Sequence, residues 1–245
     1  MGELIAFLSG KGGTGKTSIC AAVATALAQQ GESVLCIDCD IGLRNLDISL
    51  GLADCGALSF LEIMDGGYDL HQACVHPRYP SLHFLTAPVS GSAEEIDSAA
   101  FFQFLAQARE QFRYVFLDGP SGIGPGFHLA ASFADRICIV IEAGPASVRD
   151  ARRTGDLLEL MGKTDVRLIV NRVNEKLYSA GKFTVDDIID QSGLRLLGIV
   201  PEDSRVVLAA ATEKPLLQYT KQGAAAACQR IAKRIQGFPV PISIK

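Results

Sequence analysis

The sequence predicts an α/β fold: one domain over residues 1–245, with a mostly parallel sheet covered by helices on both faces. Three observations carry this. Short apolar runs of strand length alternate with helix-period segments along the chain. Most of these runs are continuously apolar, as strands buried on both faces are. The first run, Leu4-Ile5-Ala6-Phe7-Leu8, passes through a glycine-rich loop into an alanine-rich helical pattern that ends near Gln30.

Composition narrows the function classes. At 245 residues and 48% hydrophobic content, the chain can bury one large core. A net charge of −4 and a pI near 5.6 give no support from overall charge for nucleic-acid binding. No apolar run approaches the roughly 20 residues of a membrane span. Met1-Gly2-Glu3 runs straight into the first strand, which leaves no room for a signal peptide. Seven cysteines, an odd number without a secretory signal, read as reduced thiols in the cytoplasm. Cys36-Ile37-Asp38-Cys39 is formally C-x-x-C, but residues three apart on a strand face opposite sides of the sheet. Small buried residues is therefore the reading for this pair and for Cys20, Cys55, Cys74, Cys138 and Cys228. Repeats, low-complexity segments and linkers are absent.

The loop Gly10-Lys11-Gly12-Gly13-Thr14-Gly15-Lys16-Thr17 holds the strongest signal. Its glycines let backbone N–H groups converge on an anion, and the helix that begins near Lys16 adds its positive end. Lys16 can reach β- and γ-phosphates, and the Thr17 hydroxyl suits Mg²⁺. These eight residues and the adjoining Ser18 are the candidate phosphate contacts of a P-loop NTPase.

Lys11 is a second lysine that an ordinary phosphate loop does not need. The pattern Lys-Gly-Gly-x-Gly-Lys-Thr resembles the deviant loop of the MinD/ParA family of P-loop ATPases. That resemblance implies ATP and Mg²⁺ as cofactors and slow hydrolysis. It also implies a homodimer formed on ATP, in which Lys11 reaches the partner's nucleotide, and a protein activator. Chemically, a second cation helps only where phosphate charge lies in reach, from its own site or a neighbour's.

Gly31 ends the first helix as a C-cap glycine does. Ser33-Val34-Leu35-Cys36-Ile37 is a buried strand ending in Asp38-Cys39-Asp40, where doubly wound sheets bind ligands. Strand-end capping is the alternative role for both acids. Ile41 to Asp47 has no clear period and suits a switch ordered by a γ-phosphate. Asp-x-Asp-Ile-Gly-Leu-Arg-Asn-Leu-Asp resembles the MinD side of the family more than the ParA side. By that resemblance Asp38 supports Mg²⁺, Asp40 orients the attacking water, and Arg44 and Asn45 lie at the dimer face. Leu58 to Met64 is a short helix, Leu70 to Val75 a further short piece, and Leu82 to Thr86 a strand. Ser98 is the expected N-cap of a helix over Ala99–Gln111, with Phe101, Phe102, Leu105 and Ala108 as its core stripe.

Tyr114-Val115-Phe116-Leu117-Asp118 reads as a Walker B strand that brings Asp118 near Mg²⁺. The following Gly119-Pro120-Ser121-Gly122-Ile123-Gly124 reads as a flexible loop and resembles the family's second switch, with Asp-Gly-Pro-Ser-Gly where Asp-x-Pro-Ala/Pro-Gly is usual. Arg136 to Ile141 is a strand and Ala146 to Met161 a helix. By resemblance Asp150 faces the partner subunit; its plain alternative is an exposed acid at a helix start. Val166 to Val173 is a strand containing Asn171, which the resemblance places on the adenine. An amide suits adenine's N6/N7 edge. Val185 to Gln191 is a helix capped by Gly193, and a strand from Leu196 ends in Val200-Pro201-Glu202-Asp203, whose Pro201 and Asp203 pack on the base in the family.

The tail departs from the resemblance. MinD members end in a separate amphipathic membrane helix, whereas Pro239 and Pro241 here forbid a helix continuing past Gln236. No separate membrane-targeting helix is evident, so any membrane contact is expected to be weak and peripheral, on the inner face of the cell membrane. From Lys214 onward there are six basic side chains (Lys214, Lys221, Arg230, Lys233, Arg234, Lys245) and no acids. A weak interfacial helix, a DNA-contacting patch and an ordinary helix with its basic face in water all share this pattern. The leading expectation is a MinD-like ATPase in division-site placement. The alternative is a ParA-like cargo-positioning ATPase that binds DNA non-specifically. A metal-cluster carrier would need a cysteine pair beside Asp118 or the loop after it, and the sequence has none there.

Overall fold

In the computed structural model, which describes residues 1–174 and 184–243, strands and helices alternate almost throughout. The chain runs β1 (Glu3–Ser9), α1 (Lys16–Gln29), β2 (Val34–Asp38), α2 (Leu46–Leu50), α3 (Phe60–Met64), β3 (Cys74–His76) and β4 (Tyr79–Leu85). It continues through α4 (Ser98–Gln111), β5 (Tyr114–Ser121), α5 (Pro125–Phe133), β6 (Arg136–Glu142), α6 (Pro145–Leu160) and β7 (Val166–Val173). The last described elements are α7 (Val185–Ser192), β8 (Arg195–Pro201), α8 (Arg205–Ala211), α9 (Leu216–Tyr219) and α10 (Ala224–Ile235).

The eight strands of the described residues share one sheet in the order β3-β4-β2-β5-β1-β6-β7-β8. Only β3 is antiparallel, and it pairs with β4 at one edge. Side-chain alternation splits the core in two. Leu4, Ala6 and Leu8 of β1 pack with α3 to α7, and Ile5 and Phe7 pack on the other face with α1, α2 and α8 to α10. The expected covering of a mostly parallel sheet on both faces is what the structure shows. Cys36 and Cys39 fall in opposite cores, so this C-x-x-C pair straddles the sheet.

Several expectations change. The N-cap of α4 is Asp97, not Ser98: its carboxylate accepts from the N–H groups of Ala99 (2.7 Å) and Ala100 (3.2 Å). Phe102 is 55% exposed, and Phe104 takes the place given to it in the core stripe. The positions Phe101, Phe104, Leu105 and Ala108 follow the i, i+3, i+4, i+7 rule; Phe102 does not. The segment after Asp118 is not a free loop, because β5 continues to Ser121, which pairs with Ser9, and Gly122 N–H donates to the Ser9 carbonyl at 2.9 Å. The piece near Leu70 is a 3-10 turn followed by β3. Helix α5 begins with Pro125 at its first turn, where a missing N–H is harmless.

The β3 edge carries a pH-sensitive contact. Buried His76 donates from Nε2 to the Leu50 carbonyl at 3.1 Å, while its Nδ1 accepts from the N–H groups of Arg78 and Tyr79 at 3.1 and 3.2 Å. Only the neutral ring can do both. Burial lowers the pKa of His76 below its ordinary 6.5, and it lowers His83 likewise. Below pH 6.5 the unfolded chain therefore takes up protons that the native state refuses, and stability falls until the folded values are reached. Urea midpoints are expected to drop between pH 7.5 and 5. His83→Phe, which keeps the ring contact with Phe112, should remove part of that slope with little effect at pH 7.5.

Candidate functional site

The site lies beyond the carboxyl ends of β1, β2 and β5, where parallel sheets present their loops to ligands. Gly15 is the N-cap of α1 with a left-handed backbone (φ 85°), and the first turn of α1 has neither a side-chain cap nor an acid. Its free N–H groups, with the positive helix end, face the loop. A Cβ on Gly15 would collide with the side-chain amide of Asn171, which donates to the Thr14 carbonyl at 2.8 Å. Gly13 is also left-handed, and the Thr14 hydroxyl is buried with no partner among the described residues. Lys11 is exposed.

Lys16 and Thr17 meet Asp118 in a closed cluster. Lys16 Nζ donates to Asp118 Oδ1 at 2.7 Å and to the Thr17 hydroxyl at 3.1 Å, and the Thr17 hydroxyl donates to Asp118 Oδ2 at 2.7 Å. Lys16 and Asp118 are 6% and 1% exposed. Burial opposes the lysine's charge, but Asp118 outweighs it and the Lys16 pKa rises.

Asp38 stands directly across the sheet from Asp118, in register between β2 and β5. It accepts the N–H groups of Asp40 (2.9 Å) and Leu46 (3.2 Å), and so ties the ends of the loop between them. Burial, then the Asp118 charge, pushes its pKa up to about 6 against those two hydrogen bonds and Lys16. Asp40 is shifted up as well, chiefly by burial. Three acids thus crowd one buried lysine, an excess of negative charge that a divalent cation would relieve. Thr17, Asp38 and Asp118 supply hard oxygen donors. No group of three or more His, Cys, Asp or Glu side chains among the described residues could hold a metal alone. This fits Mg²⁺, which usually shares its shell with phosphate oxygens and water.

Beside the loop lies a cavity of about 400 Å³ whose walls include Gly15, Ser18, Asn171, Arg172, Pro201 and Asp203. The Asp203 carboxylate is fully engaged, by Arg205 Nε (2.7 Å), Arg205 N–H (3.0 Å) and Ala224 N–H (2.9 Å). It therefore helps to shape the cavity, with both oxygens already accepting hydrogen bonds from the chain. Asn171 is 7% exposed and joins cavity and loop. Asn171→Ala, which frees the Thr14 carbonyl, is expected to weaken nucleotide binding about tenfold in a fluorescent-nucleotide titration.

The remaining candidates sit at the rim. Arg44 has a left-handed backbone (φ 43°) and donates to the Thr86 hydroxyl at 2.8 Å, folded back toward its own sheet. Asn45 is exposed. Asp150, in the first turns of α6, lies beside Gly10. Sequence reasoning missed Arg172, which has φ 53°, lines the cavity and pairs with Glu142 at 2.6 Å. It also missed Thr86. Neither lies in a motif.

A strand, a cradle of N–H groups at a helix start, and a buried lysine and threonine on an acid from a parallel neighbour define a P-loop nucleotide-binding protein. Residues 5–216 match the CobQ/CobB/MinD/ParA nucleotide binding domain, and the chain belongs to this MinD/ParA family. It is 35% identical to the septum site-determining protein MinD of Bacillus subtilis over 248 residues, covering 100% of this chain and 92% of that protein. A chain of the MinC:MinD cell division protein complex of Aquifex aeolicus matches with a TM-score of 0.91 and 34% identity, over 98% of both chains. The septum site-determining protein MinD of Pyrococcus horikoshii, solved with Mg-ADP, shares the fold at a TM-score of 0.82 and 22% identity, over 96% of both chains. The likeness to MinD runs the full length of the chain.

Proposed function

We propose that this chain is a MinD-like ATPase: a switch that binds ATP with Mg²⁺, pairs with a second copy, hydrolyses slowly and serves in division-site placement. The observation that carries it is the buried Lys16–Thr17–Asp118 cluster at the glycine loop, with Asp38 and Asp40 crowded against it. Residues Gly10 to Ser18 bind the phosphates through loop N–H groups, the helix end and Lys16. Thr17, Asp38 and Asp118 would hold Mg²⁺, which would supply charge stabilisation at the phosphate oxygens. Asp40 sits next to Lys16 and orients the water. Asn171 and Pro201 bound the base pocket, and Asp203 braces it. Lys11, free of the buried cluster, reaches the partner's phosphates. Arg44, Asn45 and Asp150 contribute to the paired face.

A MinC-like protein is the partner class to test first, since the Aquifex structure is a MinC:MinD complex. The family's usual hydrolysis activator is a second candidate. No helix among the described residues is long and apolar enough to cross a membrane, and the proposed location is the cytoplasm with at most peripheral contact with the inner face of the membrane. Two of the six basic side chains of the tail are turned onto the chain itself and away from a DNA partner, while Lys214, Lys221 and Lys233 are exposed. Arg234 donates to the carbonyls of Val240 and Leu197 (both 2.9 Å) and of Pro241, and Arg230 to that of Ser243 (3.1 Å). These guanidinium groups clamp the tail. Lys245 lies outside the described residues.

Asp40→Ala should slow hydrolysis and hold the ATP-bound pair. Light scattering behind a sizing column is expected to show a dimer with Mg·ATP and a monomer with ADP. A monomer under both conditions, with ATP bound, would sink the switch reading.

A further inference from the structure

A second cavity, of about 390 Å³, lies between α4 and the segment that runs from α3 into the turn after it, and no residue of the phosphate loop lines it. Its floor is apolar, with buried Phe104 and half-buried Met64, and its rim is polar. Three rim residues, Gln103, Gln107 and Gln111, recur at every fourth position of α4, so their side chains form one row along the exposed side of the helix. None of these three amides hydrogen-bonds to another described residue. Each therefore offers two donors and an acceptor to whatever enters the cavity.

The charge of this cavity is one-sided. Asp69 and Glu110 stand on its rim, and no lysine or arginine lines it. Arg109, beside Glu110 in the chain, is turned away: it donates to the Gly2 carbonyl at 2.9 Å and pairs with Asp135 at 3.0 Å. Asp69 Oδ1 accepts from the His71 N–H at 3.0 Å, and its Oδ2 has no partner among the described residues. Glu110 has none there either. A nucleic acid or an anionic lipid surface is repelled by such a rim, and a cation is drawn to it.

The spacing of the row says what form the ligand takes. Successive glutamines are about 6 Å apart along the helix axis, four residues at about 1.5 Å each. An extended chain presents an N–H and a C=O to the same side at every second residue, about 6.6 Å apart. The two repeats stay in step over three amides, so each glutamine can donate to one peptide carbonyl and accept from the N–H of the same residue. We propose that the cavity docks an extended peptide segment of a partner protein that carries lysine or arginine: its backbone lies on the glutamine row and its cations meet Asp69 and Glu110. Tyr68, 45% exposed on the same rim, adds a ring on which a lysine stem can pack. The acids are exposed and screened by salt, so the contact is weak, reversible and salt-sensitive.

The test titrates the whole chain into a fluorescein-labelled, end-blocked octapeptide of alternating lysine and threonine and follows its anisotropy. Binding is expected, and the same peptide with glutamate for lysine should not bind. Gln107→Ala removes the middle amide and Glu110→Lys reverses a charge. Both sit on the exposed face of α4 and should leave the melting temperature unchanged, and each should weaken binding about fivefold. N-methylating alternate peptide amides should weaken binding in one register and spare it in the other, because only one edge of the peptide faces the glutamines. No binding at millimolar peptide, or binding that neither variant alters, would overturn the site. Spermine competing as well as the peptide at equal charge would show a response to charge alone and overturn it too. Self-association that Glu110→Lys abolishes, without peptide binding, would give the cavity to a second copy instead. The titration contains no nucleotide, so its outcome is separate from that of the ATPase reading.

Discussion

Lys16→Ala is expected to lower nucleotide affinity by up to about a hundredfold and also to destabilise the nucleotide-free chain. The first effect follows from losing a charged hydrogen bond to phosphate, worth up to about 3 kcal/mol. The second follows from the cluster. Asp118 is 1% exposed, and without Lys16 its charge keeps only the Thr17 hydroxyl as a partner. Breaking a buried pair from one side costs about 3–5 kcal/mol. Asp38 worsens the imbalance, because it already feels Asp118 and loses the Lys16 charge that holds its pKa down. The sign of the pH dependence is set by this. A carboxyl with a folded pKa above its unfolded value costs stability at neutral pH, and the cost shrinks as pH falls below the folded value and is gone below the unfolded one. The deficit of Lys16→Ala should therefore be smaller at pH 5.5 than at pH 8 in urea titrations. Adding Asp118→Asn should recover part of it at pH 8 only. A deficit independent of pH would mean that the pair contributes packing and not charge.

The phosphate loop was legible because its residues are contiguous and their flanks are long apolar and alanine-rich runs. Asp118 was legible only through the loop: four apolar residues before an acid mean little alone, and the pairing of β1 with β5 supplies the meaning. The role of Asp203 could not be read, since its carboxylate is taken by the Ala224 N–H, a partner far along the chain. Helix α5 was hidden behind Gly122, Gly124 and Pro125, which read as loop until Pro125 is seen to open a helix. Strand β3 has three residues and no period to detect. At the start of α4, two good capping residues stand side by side, and backbone geometry alone selects Asp97. Where function rides on a local loop the residues announce it; where it rides on register or long-range closure they do not.

Gly15→Ala separates loop geometry from loop charge, and its effect should be nearly as large. An L-residue at φ 85° costs about 1–2 kcal/mol in backbone strain. The methyl also collides with the Asn171 amide and drives it off the Thr14 carbonyl. One methyl thus breaks the link between the glycine loop and the adjoining cavity. Stability should fall by about 2–3 kcal/mol, the sum of strain and one lost hydrogen bond, and nucleotide binding should disappear from calorimetry. Gly31→Ala is the matched control. Its φ is 87°, but nothing lies within 4 Å of the added methyl, so it carries the strain alone and should bind nucleotide normally. The double variant Gly15→Ala/Asn171→Ala removes the collision and keeps the strain. If the collision dominates, the double variant should be less damaged than the sum of its parts and should regain weak nucleotide binding. If strain dominates, the two changes will add, and the clasp between Asn171 and the loop will have been a bystander.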